Sequence, residues 1–426
     1  WKLCPRVAFM FFLSDIMCAE GRVYLPPDNE IDSVASTATD NTPVCSSISL
    51  ADHFRSRPRF LHQLGVEVRP AYIIPSIDFL EGNNATGKYI EKSLSAHLRY
   101  SFKFIPNSFI DNIYGGAYQG IGLSYYNFYE KEQLGNPLAI YLFQGARIAK
   151  ISPKVSLNYE WNFGVSFGWK EWDDPNNPYN SVIGSEVNAY LNVNFYFNWM
   201  LSSRFNLTTG VTLTHFSNGN TEFPNAGLNT IGAKVGLVYT INRNKIGSQI
   251  LFQPPPPEFI RHISYDVALF GAWRRKGVAT DDIYEASPHA YTVAGFNFSP
   301  MYNFGYRFRT GLSLDGYYDG SANVYKLNPE SEIFIAPPIQ KQLALGISAR
   351  AEYVMPYFSV NLGLGTNVIH GGGDLKGLYQ ILALKVDLTR SSYLHIGYSL
   401  KDFHLPNFLM LGIGYRFNNK YPRLHR

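Results

Sequence analysis

Apolar and polar residues alternate along most of the chain from about residue 62 onward. The clearest run follows Pro153: every second residue from Val155 to Trp169 is aliphatic or aromatic, and the residues between them are Ser, Asn, Glu or Gly. Successive side chains of a β-strand point to opposite faces, so this period of two predicts a strand with one apolar and one polar face. At about 3.3 Å per residue, the run is long enough to cross a bilayer with the usual tilt.

The same alternation recurs in about sixteen runs, which fall into two halves of about eight. Gln253 and the prolines at 254–257 separate the halves, and this rigid segment cannot join the interior of a sheet. The predicted strands lie near 63–73, 93–104, 119–129, 138–150, 154–170, 186–200, 203–217 and 227–241 in the first half, and near 261–274, 288–300, 303–316, 342–355, 357–369, 378–389, 392–400 and 407–418 in the second.

Strands of this length with large aromatic faces are rare in soluble β-sandwiches, and lipid is the simpler environment for them. The chain contains no run of 18 or more apolar residues, which disfavours a helical membrane protein. We therefore expect an all-β fold, a transmembrane antiparallel β-barrel. Two tandem eight-stranded barrels and one sixteen-stranded barrel predict the same alternation, although the proline-rich segment is unlike the short turns within a single barrel.

Composition agrees with a membrane barrel and narrows the partners. Only 16% of the 426 residues are charged, which is low for a soluble surface, while 15% are aromatic. The net charge of +4 is mild and no block of Lys or Arg occurs, so nucleic acid is not an expected partner. In the second half, charges such as Arg307, Arg309, Arg350 and Glu352 fall on polar faces, as expected for a filled polar lumen.

The first 21 residues have the character of a secretory signal peptide. Arg6 precedes the apolar run from Val7 to Leu13, and small residues follow at Ala19 and Gly21. Removing this segment leaves one of the three cysteines, Cys45, so the mature chain is expected to form no internal disulfide.

The remaining organisation follows from composition and the strand pattern. Residues 22–60 are polar and rich in turn formers, which predicts a loosely packed periplasmic lead-in. The expected units are then a first barrel at 61–245, a proline-rich linker at 246–257, a second barrel half at 258–419 that is a degenerate repeat of the first, and a tail at 420–426.

The candidate chemistry lies on the seventh and eighth predicted strands. The apolar row of the seventh strand runs directly into His215 and Ser217, and Asn229 shares a face with the apolar row of the eighth. A histidine, a serine and an amide are therefore expected to meet on the apolar side of one hairpin. A serine hydroxyl needs a nearby base to become a good nucleophile, and neutral imidazole suits that role near neutral pH.

The loop between these strands supplies further polar groups. Asn218, Gly219 and Asn225 are expected to donate hydrogen bonds to the oxyanion of a tetrahedral intermediate. Barrels of this class usually keep both chain ends in the periplasm, which places the loop outside the cell. His215 and Ser217 would then lie at the level of the head groups and ester bonds of the outer leaflet.

The same residues also have a purely structural explanation. Asn-Gly is a common hairpin turn, and His-x-Ser occurs by chance in many chains. Polar groups at the rim of an apolar stripe nevertheless cost stability and need a reason. The second half, compared as a weak repeat, puts His404 near the place of His215 but Pro406 in the place of Ser217, so this pair of groups is not repeated.

The segment from His215 to Gly219, followed by the segment from Pro224 to Asn229, resembles the motif of the PagL family of outer-membrane lipid A deacylases, also called acyloxyacyl hydrolases. The similarity covers the first eight strands, and the long second half resembles larger two-part members. It implies an eight-stranded barrel with a Ser-His-acid hydrolase site on its lipid-facing surface. This site removes an ester-linked acyl chain from lipid A without a metal ion, so no cofactor is expected.

Carried over to this sequence, the resemblance makes Ser217 the nucleophile, His215 the base and Asn225 part of the oxyanion environment. The acid of the family matches Asn229, which is a departure. An amide oxygen can orient imidazole but cannot stabilise imidazolium by charge, and in a serine protease the Asp to Asn change cost about 10⁴ in rate. Glu222, in the loop, is the alternative carboxylate.

The leading prediction is a serine esterase in the outer membrane of a Gram-negative bacterium. Its partners would be membrane lipid and its substrate, lipid A or another outer-leaflet glycolipid. The alternative is a non-enzymatic barrel, a pore or scaffold with a relic active site. The amide at 229 and the degenerate second half favour that alternative, whereas the intact His-x-Ser-Asn-Gly on an apolar face favours the enzyme.

Overall fold

The structure is a computed structural model that describes residues 60–421 except 107, 242–255, 281–282, 329–330, 332 and 404. The predicted signal peptide, almost all of the lead-in, most of the linker, Cys45 and His404 lie outside the described residues. Within the described ranges, no helix is long and apolar enough to cross a membrane.

The first half of the chain closes into an eight-stranded antiparallel barrel, in which each strand pairs with the next and the last strand pairs with the first. Two short helices interrupt the connections, α1 at Phe109–Ile113 and α2 at Lys131–Leu134. The strands are β1 Phe60–Ile73, β2 Lys92–Phe104, β3 Tyr118–Asn127, β4 Gly135–Ser152, β5 Val155–Trp169, β6 Val187–Met200, β7 Phe205–Ser217 and β8 Leu228–Thr240.

The second half closes into a separate barrel, so the chain forms two eight-stranded barrels and not one of sixteen. Two short two-stranded hairpins lie in its connections. The strands are β9 His262–Arg274, β10 Gly277–Thr280, β11 Ile283–Ala286, β12 Tyr291–Asn303, β13 Phe308–Asp319, β14 Tyr325–Lys326, β15 Phe334–Ile335, β16 Leu343–Met355, β17 Phe358–His370, β18 Leu378–Asp387, β19 Ser392–Lys401 and β20 Leu405–Phe417.

The alternation of polar and apolar residues in the sequence corresponds to the lumen and the exterior of each barrel. On β7, Thr208, Thr212 and Thr214 are buried toward the lumen, whereas Val211 is 54% exposed on the exterior. The same division holds around both barrels, whose exposed side chains are mainly Leu, Ile, Val, Tyr, Phe and Trp. An apolar exterior of this kind is suited to lipid.

Loop lengths give the first barrel its orientation. The odd-numbered strands end at the connections 74–91, 128–134, 170–186 and 218–227, whereas the opposite end has one long connection, 105–117 with α1, and the short turns 153–154 and 201–204. Outer-membrane barrels carry their long loops on the extracellular side, so β7 runs outward and Ser217 lies at its outer end.

Buried ion networks cross both lumens. In the first barrel, Glu67 accepts from Arg69 at 2.7 Å and from Lys234 at 2.9 Å, and Arg99 joins Glu67 to Glu160. Charges this deeply buried need partners with opposite sign, and these side chains provide them for one another.

In the second barrel, Asp266 accepts from Lys385 at 2.7 Å and from Arg416 at 3.1 Å. Glu352 accepts from the same Lys385 at 2.9 Å and also pairs with Arg309. The predicted polar filling of the lumen is therefore confirmed for these side chains.

Two expectations from the sequence of this barrel were wrong. The third strand, expected at 303–316, runs from Phe308 to Asp319, because the alternation continues through residues 301–303 and does not mark where β12 ends. Arg307 consequently lies in the turn before β13 and not on the polar face of a strand. Its guanidinium donates to the carbonyl oxygens of Ile113 and Asn112 in the first barrel.

The barrels pack side by side through apolar residues on their exteriors. One cluster of buried side chains contains Phe163 of β5 and Leu191 of β6 together with Val360 of β17 and Leu384 of β18. Partly buried Ile396 of β19 packs against the same cluster. At Phe163 and Leu191, the exterior of the first barrel is therefore covered by the second barrel and not by lipid.

Candidate active site

The β7–β8 hairpin brings three of the predicted site residues together on the barrel exterior. His215 and Asn229 lie directly opposite each other in the strand register, and Ser217 follows on the same face of β7. Below Asn229, Ile231 is 46% exposed on this face. On the other flank His215 is paired with Leu191, which is buried in the inter-barrel cluster. The hairpin thus stands at the edge of the seam between the barrels.

The imidazole of His215 is held by Asn229. Nδ1 of the ring lies 2.7 Å from Oδ1 of the amide. Since an amide oxygen only accepts hydrogen bonds, this contact places the ring proton on Nδ1. Nε2 then carries the lone pair, which is the tautomer that a general base requires.

Ser217 is enclosed by donors from the loop that follows it. Its hydroxyl accepts from the main-chain N–H of Gly219 and from Nδ2 of Asn225, both at 3.0 Å. It donates to Oδ1 of Asn225 at 3.2 Å. Two of the three expected oxyanion donors therefore contact the serine oxygen itself.

Asn218, expected to be an oxyanion donor, makes hydrogen bonds within the loop. Its side chain folds the loop: Oδ1 accepts from the N–H of Asn220 at 2.9 Å, and Nδ2 donates to the carbonyl of Glu222 at 3.1 Å. Its own N–H donates to Oδ1 of Asn225 at 3.1 Å. Asn218 thus shapes the loop that carries the two donors to Ser217.

Glycine allows two close approaches at the site. Gly219 has a φ of +68° and Gly227 a φ of +72°, a region that favours glycine. A Cβ on Gly227 would lie 2.9 Å from Cε1 of His215, so the ring packs directly on that backbone. Gly227 was not among the residues predicted from the sequence, and its position just before β8 was the available signal.

Glu222 is engaged elsewhere. Its carboxylate, which is 42% exposed, pairs with Arg275 of the second barrel at 3.0 Å. The structure therefore places the amide of Asn229, and not the carboxylate of Glu222, on the imidazole ring. Nearby, partial burial and the negative charges of Glu186 and Glu222 raise the pKa of Glu171.

Across the residues that the structure describes, no group of three or more His, Cys, Asp or Glu side chains is placed to hold a metal ion.

The fold defines the class of protein: two closed barrels with apolar exteriors make this an outer-membrane β-barrel protein of a Gram-negative bacterium. Residues 94–238 match the family described as lipid A 3-O-deacylase (PagL), and residues 263–419 match the family described as acyloxyacyl hydrolase, C-terminal domain. The chain belongs to the PagL family, in its two-part form. The resemblance seen in the motif is confirmed.

The chain is also similar to several solved structures. The crystal structure of the outer membrane enzyme PagL is 13% identical, with a TM-score of 0.26, and the match covers 40% of this chain and 97% of that one. Neisserial surface protein A is 9% identical with a TM-score of 0.26, covering 43% and 96%. An outer membrane channel from Pseudomonas putida F1 is 10% identical with a TM-score of 0.18, covering 85% and 96%. None of the curated proteins matches the chain.

Proposed function

We propose that the protein is a serine esterase that removes an ester-linked acyl chain from lipid A or a related outer-leaflet glycolipid. The observation that carries the proposal is the bond between Nδ1 of His215 and Oδ1 of Asn229, which holds a base two residues from Ser217 on the exterior of the barrel. The family match supports the substrate class, because its description names lipid A 3-O-deacylase.

The first half-reaction forms an acyl-enzyme. Oγ of Ser217 attacks the carbonyl carbon of the ester while Nε2 of His215 takes the hydroxyl proton. In the structure this hydroxyl donates to Asn225, so the O–H bond turns away from Asn225, by rotation about the Cβ–Oγ bond, before attack. The C–O bond to the glycolipid then breaks, and the imidazolium returns the proton to the leaving oxygen.

Charge that develops on the carbonyl oxygen needs donors close to the reacting atoms. The N–H of Gly219 and Nδ2 of Asn225 lie 3.0 Å from Oγ, which becomes bonded to the carbonyl carbon. A fixed donor aimed at the oxyanion itself is worth about 2.7–4 kcal/mol in a protease, and these two groups are proposed to turn to that oxygen as it forms beside Oγ.

The second half-reaction releases the fatty acid. A water molecule loses its proton to Nε2 of His215 and attacks the acyl carbon, and Ser217 leaves with that proton. Asn229 keeps the ring in the required tautomer in both steps. It cannot lower the energy of the imidazolium by charge, so turnover is expected to be slower than with a carboxylate at this position.

A non-enzymatic barrel is the second candidate function, and the amide at 229 is the observation that favours it. A pore is disfavoured because networks of buried charged side chains, centred on Glu67 in the first barrel and Glu352 in the second, cross the two lumens. The scaffold version is tested by the same experiment as the esterase.

The test is mass spectrometry of lipid A from cells that express the wild type, Ser217→Ala or Ser203→Ala. Ser203 is an exposed serine at the opposite end of β7 and serves as the matched control. The wild type and Ser203→Ala are expected to produce lipid A that lacks one acyl chain, and Ser217→Ala is expected to leave lipid A intact. Identical lipid A from wild type and Ser217→Ala would eliminate the esterase proposal and leave the scaffold.

A further inference from the structure

The loop at 218–226, here called the catalytic loop, rests on the outer rim of the second barrel. The carbonyl of Asn220 accepts from the main-chain N–H of Arg275 at 2.9 Å, and Nδ2 of Asn220 donates to the carbonyl of Asn407 at 3.3 Å. Glu222 adds the ion pair with the side chain of Arg275. One residue after β9 and one at the start of β20 therefore hold the loop from two sides.

Packing adds to these bonds. A Cβ on Gly277 would lie 2.8 Å from the ring of Phe223, so the ring sits directly on the backbone of β10. A Cβ on Gly219 would lie 2.9 Å from a methyl carbon of Leu409 on β20. Gly219 is the residue whose N–H reaches the oxygen of Ser217. The second barrel thus contacts the catalytic loop at a residue that directly bonds the nucleophile.

A chain of hydrogen bonds connects the rim to the nucleophile. Asn407 accepts from Asn220, Oδ1 of Asn220 accepts from Nδ2 of Asn225 at 3.1 Å, and Asn225 contacts Ser217. Asn220 has a φ of +67°, which residues other than glycine rarely adopt, so these hydrogen bonds stabilise an unusual backbone conformation.

The rim is itself held in place. The guanidinium of Arg274 donates to Oδ1 of Asn407 at 2.7 Å and to Asp319 at 3.0 Å, which ties the start of β20 to the ends of β9 and β13. The partners of the catalytic loop are therefore fixed by their own barrel.

We propose that the outer rim of the second barrel, formed by Arg275, Gly277, Asn407 and Leu409, is a positioning element for the active site in the first barrel. It holds the catalytic loop so that Gly219 and Asn225 stay aimed at Ser217. This inference rests on the proposed esterase function and gives the second barrel a role in it. A misplacement of about 1 Å in such donors costs about 10²-fold in rate.

The rim is tested by a charge swap in the full-length protein. Arg275→Glu places a carboxylate against Glu222 and is expected to lower kcat for acyl release about 10- to 100-fold, with KM changed less than about threefold, because the donors and not the lipid contacts are displaced. Combining it with Glu222→Arg restores an attractive pair, and kcat is expected to recover to within about threefold of wild type.

Two further measurements separate positioning from a general loss of structure. Arg307→Glu removes a contact between the barrels at their opposite ends and is expected to leave kcat unchanged. Hydrogen exchange of the amides at 218–226 is expected to speed up in Arg275→Glu and return to the wild-type rate in the double swap.

The failures of the two proposals are distinguishable. An active wild type with unchanged kcat in Arg275→Glu overturns the positioning role and leaves the esterase standing. The positioning role is equally overturned if the double swap stays as slow as the single variant, or if Arg307→Glu is equally slow. No acyl release by the wild type defeats the esterase, and the positioning role with it.

Discussion

At the scale of single residues, the site depends on Asn229. It makes the contact expected of an acid, with its oxygen 2.7 Å from Nδ1 of His215. Orientation of the ring is therefore provided, while the negative charge that would stabilise imidazolium is missing. In a serine protease the loss of that charge was accompanied by a change of tautomer, whereas the amide oxygen here keeps the tautomer correct.

Because Asn229 orients the imidazole ring but carries no charge, we expect Asn229→Asp and Asn229→Ala to change kcat in opposite directions. In Asn229→Asp the carboxylate keeps the bond to Nδ1 and adds negative charge, so kcat of this variant is expected to rise about tenfold or more. Asn229→Ala no longer orients the imidazole ring, so its kcat is expected to fall about tenfold or more. The measurement is the rate of fatty-acid release from lipid A in mixed micelles. A drop in kcat for Asn229→Asp together with wild-type rates for Asn229→Ala would show that the amide does not act on the ring.

At the scale of elements, the strands follow from the sequence because their environment imposes a period of two. All eight predicted strands of the first barrel are present, and the contact of His215 with Asn229 follows from the same alternation in β7 and β8. That these residues are catalytic stays a prediction.

The connections were much less predictable. The hairpins β10–β11 and β14–β15 and the helices α1 and α2 are too short to show a period. The contacts of Asn220 with Arg275 and Asn407 join residues far apart in the chain, and no local pattern marks them. Tertiary packing decides such contacts, so they become visible only in the structure.

One extracellular connection of the second barrel is expected to respond to pH. Asp374 lies in the turn between β17 and β18, where it pairs with Lys276 and accepts from the N–H of Asn323 at 2.8 Å. Burial alone would raise its pKa, but the ammonium of Lys276 and these hydrogen bonds hold the pKa below its usual value. A group with a lowered pKa in the folded state stabilises the fold above its ordinary pKa, about 3.9 for Asp.

The stabilisation is accordingly lost as the pH falls through the folded-state pKa of Asp374. Amide exchange of the segment at 320–326, corrected for the intrinsic effect of pH, is expected to be slow at pH 7 and faster near pH 3. In Asp374→Asn it is expected to be fast at both values. Equal protection in the variant and the wild type at pH 7 would show that this carboxylate does not hold the connection.

At the scale of the whole molecule, the charge networks in the lumens are expected to dominate stability. Glu352 is fully buried with Arg309 and Lys385, and breaking a buried pair by removing one partner costs about 3–5 kcal/mol. We therefore expect Glu352→Gln to lower the free energy of unfolding by several kcal/mol, about 3–5.

The measurement is the urea midpoint of the protein in lipid vesicles, followed by tryptophan fluorescence and by electrophoretic mobility. Glu91→Gln is the matched control, since its carboxylate pairs with Lys92 at 3.5 Å on an exposed connection. That variant is expected to change the free energy of unfolding by less than about 0.5 kcal/mol. Coincident midpoints for the two variants would contradict a stabilising role for the network.

Ser217 lies on the exterior of the barrel, and this position determines how a lipid substrate would reach it. In the proposed esterase, a glycolipid would reach this hydroxyl by lateral diffusion within the leaflet, without leaving the bilayer. The second barrel covers the β6 side of His215 at Leu191. Lipids in the leaflet can therefore reach the site only from the β8 side. Turnover should therefore follow the mole fraction of the glycolipid in the leaflet. Diluting it with inert phospholipid should slow the reaction even when its total amount is unchanged.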